Sequence, residues 1–231
     1  MFHVKICGVT TADDARIVAA AGADAIGLNF VPGSPRCLAV DAARTVAAAV
    51  PEGVLVVGVF AGATADEMRR VAREVGLGAI QLHGHLEGAV SVDPPERCAA
   101  LAPLPVIRAI RLGDDGLEGA RRWIAAAGAC GHGPDMAVVD AAVAAATEAG
   151  ELGGTGATVD WGRLVAAGGL GIPTALAGGL TPANVAEAIR ATRVIAVDTA
   201  SGVERSAGRK DPEKVRAFVA AARAALAAAR D

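Results

Sequence analysis

Short apolar runs alternate along this chain with stretches whose apolar positions recur every three or four residues. Val4-Lys5-Ile6-Cys7 alternates apolar and polar side chains, as a short strand does, until Gly8 breaks the pattern. A helix is expected over 11–21, with Thr10 or Thr11 as its cap, Asp13 and Asp14 in its first turn and Gly22 as its stop. Residues 25–30 form a second strand, too continuously apolar to have one wet face, which marks a parallel strand covered on both sides. The same reading gives helices over 40–50 and 65–75 and strands over 54–60 and 79–83. Residues 84–93 are weakly patterned, and a short helix over 95–101 follows. Then come strand 106–111, helix 117–127, strand 136–140, a long loop over 141–158 and a short helix over 161–167. Strand 174–177 leads into a helix with Thr181 as cap and Pro182 in its first position, running to Arg190. Strand 194–198 and a last helix from Asp211 towards Arg230 complete the series.

Eight strand-then-helix units with short links imply parallel strands joined by right-handed crossovers. Such units close into an α/β fold of the (β/α)8, or TIM, barrel type, and 231 residues suit that fold as a single domain over 1–231. A doubly wound open sheet is the alternative. It is weakened because no G-x-G-x-x-G follows the first strand.

Hydrophobic residues make up 53% of the chain, much of it alanine, which is enough for a large core. The formal charge is −3, from 22 basic and 25 acidic residues, with no basic block. That balance lacks the electrostatic footprint of nucleic-acid binding or of an anionic membrane surface. Every apolar run is interrupted by Gly, Pro or a charge well short of the ~20 residues of a membrane span. The first strand begins almost at residue 1, leaving no room for a signal peptide. Cys7, Cys37, Cys98 and Cys130 show no CxxC and no paired spacing. They are expected to be reduced thiols of a cytoplasmic protein.

In a barrel the ends of the strands converge on one mouth, where the chemistry is placed. Here those ends carry Cys7, Asn29, Phe60, His83, Arg111, Asp140, Gly178-Gly179 and Asp198. Taken singly, Cys7 reads as a buried thiol and His83 as a core or hydrogen-bonding residue without metal-ligand spacing. Arg36, between Pro35 and Cys37, reads first as a solvated loop arginine, although its fork suits a carboxylate. Lys5 stands two residues before Cys7, on the same side of the strand, where its charge can lower the thiol pKa. Gly178-Gly179 and Ser201-Gly202 follow strands seven and eight, the usual phosphate position in barrels.

The chain resembles the phosphoribosylanthranilate isomerases of tryptophan biosynthesis. The resemblance rests on Lys5-Ile6-Cys7-Gly8, Gly22-Ala23-Asp24-Ala25-Ile26-Gly27, Ser34-Pro35-Arg36 and Gln81-Leu82-His83-Gly84. It continues through Val139-Asp140, Gly153-Gly154-Thr155-Gly156 with Asp160-Trp161, and the run from Ala177 through Thr181-Pro182 to Val185. It ends at Val197-Asp198 and Ser201-Gly202-Val203-Glu204. It implies a cofactor-free barrel that performs an Amadori rearrangement of a phosphosugar. No metal site is expected, and the assembly is expected to be a monomer or homodimer. It also implies Cys7 as general base, Asp140 as general acid and Arg36 against the anthranilate carboxylate. The phosphate falls to Gly178, Gly179, Ser201 and Gly202, with Asp198 near the ribose and Lys5 and His83 close to the substrate. The alanine-rich loop after Asp140 and the segment 85–95 depart from the family pattern. An aminoimidazole ribonucleotide isomerase of histidine synthesis is a competing reading, but those enzymes carry aspartate where Cys7 stands. A silent phospholigand-binding barrel is another, and it has no need of both Cys7 and Asp140.

Overall fold

The structure is a computed structural model that describes residues 1–84, 86–87, 90–91, 93–113, 115–140 and 161–229, with backbone only at 86–87 and 90–91. The expected loop over 141–158, its Gly153–Gly156 run and Asp160 lie outside the described residues. Eight parallel strands form one closed barrel: β1 Val4–Ile6, β2 Ala25–Asn29, β3 Leu55–Phe60, β4 Ala79–Leu82, β5 Val106–Arg111, β6 Met136–Asp140, β7 Thr174–Ala177 and β8 Ala196–Thr199. Each strand pairs with its sequence neighbours, and β8 pairs with β1, which rules out the open sheet.

Among the described residues the α-helices are α1 Ala12–Ala20, α2 Val40–Ala47, α3 Ala65–Val75, α4 Arg97–Leu101, α5 Glu118–Ala129, α6 Trp161–Ala167, α7 Val185–Thr192 and α8 Pro212–Ala228. Local chemistry explains three of their starts. Thr11 Oγ1 accepts from the Asp14 N–H, Thr64 and Glu67 form a reciprocal capping box, and Asp211, just before Pro212, accepts from the Glu213 and Lys214 N–H groups.

One expected start is corrected. Thr181 does not cap α7, and Pro182 lies in the turn before it. The Thr181 N–H instead donates to Asn184 Oδ1 at 2.8 Å, and Asn184 Nδ2 donates to the Gly179 carbonyl at 3.0 Å. Asn184 folds the turn back onto Gly179, so the helix begins only at Val185. The weakly patterned segment holds a two-stranded ribbon, Leu86–Glu87 with Val90–Ser91, before the short α4.

The period-two alternation of the strands separates two cores. Ile6, Ile26, Leu28, Ile80, Leu82, Val106 and Val139 face outward onto the helices with Met68 and Phe218. Phe2, Val57, Ile107, Met136 and Val138 fill the barrel interior with small partners Ala25, Ala79, Ala175 and Ala196. By the same parity Lys5, Gln81, Asp140 and Asp198 point inward.

Helix α8 packs on both α7 and α1 and so covers the seam where β8 meets β1. Arg223 on α8 donates to the Gly22 carbonyl and pairs with Asp24 at 2.6 Å. The other Asp24 oxygen accepts from the Val4 and His3 N–H groups. Desolvation alone would raise this carboxyl, but those N–H groups and Arg223 hold it below the ordinary carboxylate value. A depressed folded-state pKa contributes stability above the unfolded pKa, and that contribution is lost as pH falls through the folded value. Asp24→Asn should therefore lower the thermal midpoint at pH 7 and have a shrinking effect as the pH drops below ~4. Melting curves across that range test this. A penalty independent of pH would show that the carboxylate charge is irrelevant.

Candidate active site

A pocket opens at the carboxyl ends of the strands. It is lined by Cys7, Asn29, Arg36, Gln81, His83, Asp140, Gly178, Gly179, Asp198, Thr199 and Ser201, among others. Phe60 and Arg111, also expected at the mouth, are not in this lining. Phe60 turns to the helix layer and stacks on Phe30 with ring centroids 4.9 Å apart, and Arg111 is exposed.

Cys7 follows β1 and lies half-buried in the pocket wall. Its N–H donates to the Thr199 carbonyl at 2.7 Å, which extends the β1–β8 ladder one residue beyond the strand. Gly27 on β2 faces the thiol: a Cβ built there would stand 2.6 Å from Cys7 Sγ. Lys5 is completely buried beneath it and donates to Asp198 Oδ2 at 2.8 Å.

Withdrawal from water pushes the Cys7 thiol above its ordinary pKa. Lys5 pulls it down, Asp198 adds to the rise, and Lys210 pulls weakly the other way. Lys5 thus acts in the expected direction but does not prevail. Desolvation would lower the Lys5 ammonium, yet Asp198 and Cys7 outweigh it and raise its pKa. Burial raises Asp198 against the opposing pull of Lys5, and Asp140 adds to that rise. The second Asp198 oxygen has no hydrogen-bond partner among the described residues, and neither has the buried Gln81 Oε1.

Asp140 ends β6 on the same inward face. His83, one residue past β4, lines the pocket and lies 3.4 Å from the Gln81 amide.

Arg36 is not the solvated loop residue that its Pro-rich surroundings suggested, since it is only 9% exposed. Its Nε and Nη2 donate to the two oxygens of Glu204 at 2.8 and 2.6 Å, a bidentate pair. The side chain crosses Gly8, whose backbone is left-handed at φ 69° and where any Cβ would meet Arg36 Cδ at 2.3 Å.

Gly178 and Gly179 both have positive φ and border the pocket with Ser201, which opens a short 3-10 turn over Ser201–Val203. The N–H groups of Gly179, Ser201 and Gly202 have no carbonyl partner among the described residues. Gly202 is not in the pocket lining. A Cβ there would lie 1.8 Å from the Leu180 carbonyl oxygen, so its missing side chain lets the two loops close on each other. Thr199 Oγ1 donates to that same carbonyl at 2.7 Å.

The pocket therefore unites Cys7, Arg36, His83, Asp140, Gly178, Gly179, Asp198 and Ser201, with Lys5 beneath and Gly202 behind. Sequence reasoning missed Gln81, Thr199 and Lys210. Gln81 carried a signal, being a polar residue at an inward position of an otherwise apolar strand. Lys210 carried none, because a lysine at a helix entry ordinarily faces water. Among the described residues no group of three or more His, Cys, Asp or Glu side chains is placed to hold a metal.

Eight closed parallel strands with the reactive groups gathered at their carboxyl ends make this a (β/α)8-barrel enzyme. The profile of the N-(5'-phosphoribosyl)anthranilate (PRA) isomerase family matches residues 4–221, and the chain belongs to that family. The N-(5'-phosphoribosyl)anthranilate isomerase of Myxococcus xanthus is 43% identical over 222 residues, covering 96% of each chain. A phosphoribosylanthranilate isomerase solved with reduced 1-(o-carboxyphenylamino)-1-deoxyribulose 5-phosphate superposes with a TM-score of 0.78 at 31% identity, covering 97% of this chain and 100% of that one. A monomeric form of the dimeric enzyme of Thermotoga maritima gives 0.76 at 30% identity, with the same coverage.

The thiols are expected to differ in alkylation. Cys37 and Cys130 are exposed and should react readily with iodoacetamide. Cys98, pushed up to about 12 mainly by burial, should be inert. Cys7 should react slowly at pH 7 and faster as pH rises, because the thiolate is the nucleophile. Lys5→Met removes the charge that lowers its pKa and should slow Cys7 further at any given pH. Peptide mass mapping reads each site separately. Faster labelling of Cys7 in that variant would contradict these electrostatics.

Proposed function

We propose that Cys7 is the general base and Asp140 the general acid of N-(5'-phosphoribosyl)anthranilate isomerisation. The product is 1-(2-carboxyphenylamino)-1-deoxyribulose 5-phosphate, and the step is the third in tryptophan synthesis from chorismate. The observation that carries this reading is the pairing of one thiol and one carboxylate on β1 and β6, across a shared mouth. Asp140 protonates the furanose ring oxygen as the C1′–O bond breaks and the anilino nitrogen forms C1′=N, leaving a protonated Schiff base conjugated with the aromatic ring. Cys7 then removes the C2′ proton to give an enolamine. Loss of the enol proton and protonation at C1′ yield the ketone; C2′ is oxidised as C1′ is reduced within one molecule, so no external oxidant, reductant or cofactor is required.

Desolvation leaves Cys7 a strong base once ionised, and the cationic Schiff base favours its thiolate at the moment of use. Arg36 takes the anthranilate carboxylate. The Gly178-Gly179 turn and the Ser201-Gly202 turn hold the phosphate through backbone N–H groups. Asp198 stands near the ribose, with Lys5 and His83 close to the substrate.

Residues 1–231 act as one domain. The chain works as a monomer or homodimer. Cytoplasmic placement fits the four free cysteines.

Cys7→Ala and Asp140→Asn should each lose about 10²–10⁴-fold in kcat while remaining folded. Cys7→Ser should be nearly as poor, because a hydroxyl is a weaker base than a thiolate. Near-native turnover in Cys7→Ala would remove the base from this mechanism. Gly179→Val should raise KM by excluding the phosphate, and an unchanged KM would count against the cradle. The wild-type gene should rescue a tryptophan auxotroph that lacks this isomerase. Turnover of the histidine-pathway ribonucleotide alone would overturn the substrate assignment.

A further inference from the structure

A guanidinium offers two donor edges. In Arg36 the side edge, Nε with Nη2, is filled by the Glu204 carboxylate. The end edge, Nη1 with the second Nη2 hydrogen, has no partner among the described residues, and Arg36 borders the pocket. Glu204 is itself held in place. Lys210, 1% exposed, donates from Nζ to Glu204 Oε1 at 2.8 Å, and Lys214 donates to the Glu204 carbonyl at 2.9 Å. The remaining Lys210 protons go to the carbonyls of Cys7 at 2.7 Å and Ala200 at 3.1 Å. Two cations thus share one carboxylate, and the buried cluster keeps one positive charge in excess.

We propose that Glu204 is a positioning residue for the substrate's aromatic carboxylate. It fixes the plane of the Arg36 guanidinium so that the end edge meets that carboxylate, and Lys210 keys the plane to the backbone of Cys7 and Ala200. The inference rests on Arg36 being the carboxylate partner, as read above.

A long arginine side chain in a loop ordinarily samples many rotamers, and ordering it on binding weakens affinity. Here the ordering is done in advance by a buried bidentate pair. Gly8 makes room for it by lacking the Cβ that Arg36 Cδ would strike. Glu204 is held below the ordinary carboxylate range: desolvation opposes this, but Arg36 and Lys210 together prevail. It is therefore charged at neutral pH.

The test compares two ligands by calorimetric titration. One is reduced 1-(2-carboxyphenylamino)-1-deoxyribulose 5-phosphate and the other its analogue without the ring carboxylate. Glu204→Gln should weaken the carboxylated ligand by about 10-fold or more and leave the Kd of the analogue within about two-fold, with KM affected more than kcat. Glu204→Asp keeps the charge but shortens the reach and should fall between. It also preserves charge balance if Glu204→Gln unfolds, which melting curves show. Arg36→Ala should abolish the preference for the carboxylated ligand. Equal weakening of both ligands in the Glu204 variants would make the residue a structural staple and overturn the inference, and so would no weakening. Lost preference in Arg36→Ala with retained preference in the Glu204 variants defeats the inference alone. Retained preference in Arg36→Ala defeats the reading of Arg36 and the inference with it.

Discussion

An ammonium group cannot remain charged inside a hydrophobic barrel without a counterion, and that constraint organises the seam of this fold. Lys5 and Asp198 face each other in register on the first and last strands, and their side chains meet at 2.8 Å. A one-residue slip of β1 against β8 would swing Lys5 into the helix layer, away from Asp198, and turn Cys7 out of the mouth. The ion pair therefore sets the height at which Cys7 stands relative to Asp198 and to the turn that follows it. The loops of β1 and β8 are then tied again by the Cys7–Thr199 and Lys210–Cys7 hydrogen bonds.

The upper barrel interior trades stability for polarity. Lower down, Phe2, Ile107 and Met136 fill the space with apolar bulk. Nearer the mouth that role passes to Lys5, Gln81 and Asp198. Two acceptors there, Gln81 Oε1 and Asp198 Oδ1, are buried without partners among the described residues. Each such atom costs about 1–3 kcal/mol in a closed core. On the reading of this pocket as a sugar site, that cost falls where a polyhydroxylated molecule docks.

Much of the fold was legible because barrel strands announce themselves twice, by their apolar runs and by the period-two parity that sends Val138 inward and Val139 outward. The residues ending those strands could then be assigned to one mouth, and Cys7, Asp140, Gly178 and Gly179 are there. Legibility failed where side chains act at a distance in sequence. Arg36 resembled a solvated loop residue because its partner, Glu204, lies 168 residues away. Lys210 was invisible because nothing local distinguishes a buried lysine from a wet one. Pro182 after a threonine is a common helix opening, but the Asn184 side chain claimed the turn first. Phe60 and Arg111 show the limit of counting strand ends, since a position at the rim can leave the pocket by turning outward or by reaching past it.

The contacts that complete the mouth join residues far apart along the chain: Lys5 with Asp198, separated by 193 positions, Arg36 with Glu204, and Cys7 with Lys210, separated by 203. Closing such spans carries a larger entropic cost than shorter-range strand pairings such as β2–β3 or β6–β7. Those pairings need not await the far end of the chain, whereas the seam must. During folding the barrel wall can thus precede its own chemistry, and catalytic competence arrives only with the final closure of β8 and α8 onto β1. Recovery of turnover after dilution from denaturant then becomes a clock for that last event, separate from the earlier gain of helical signal.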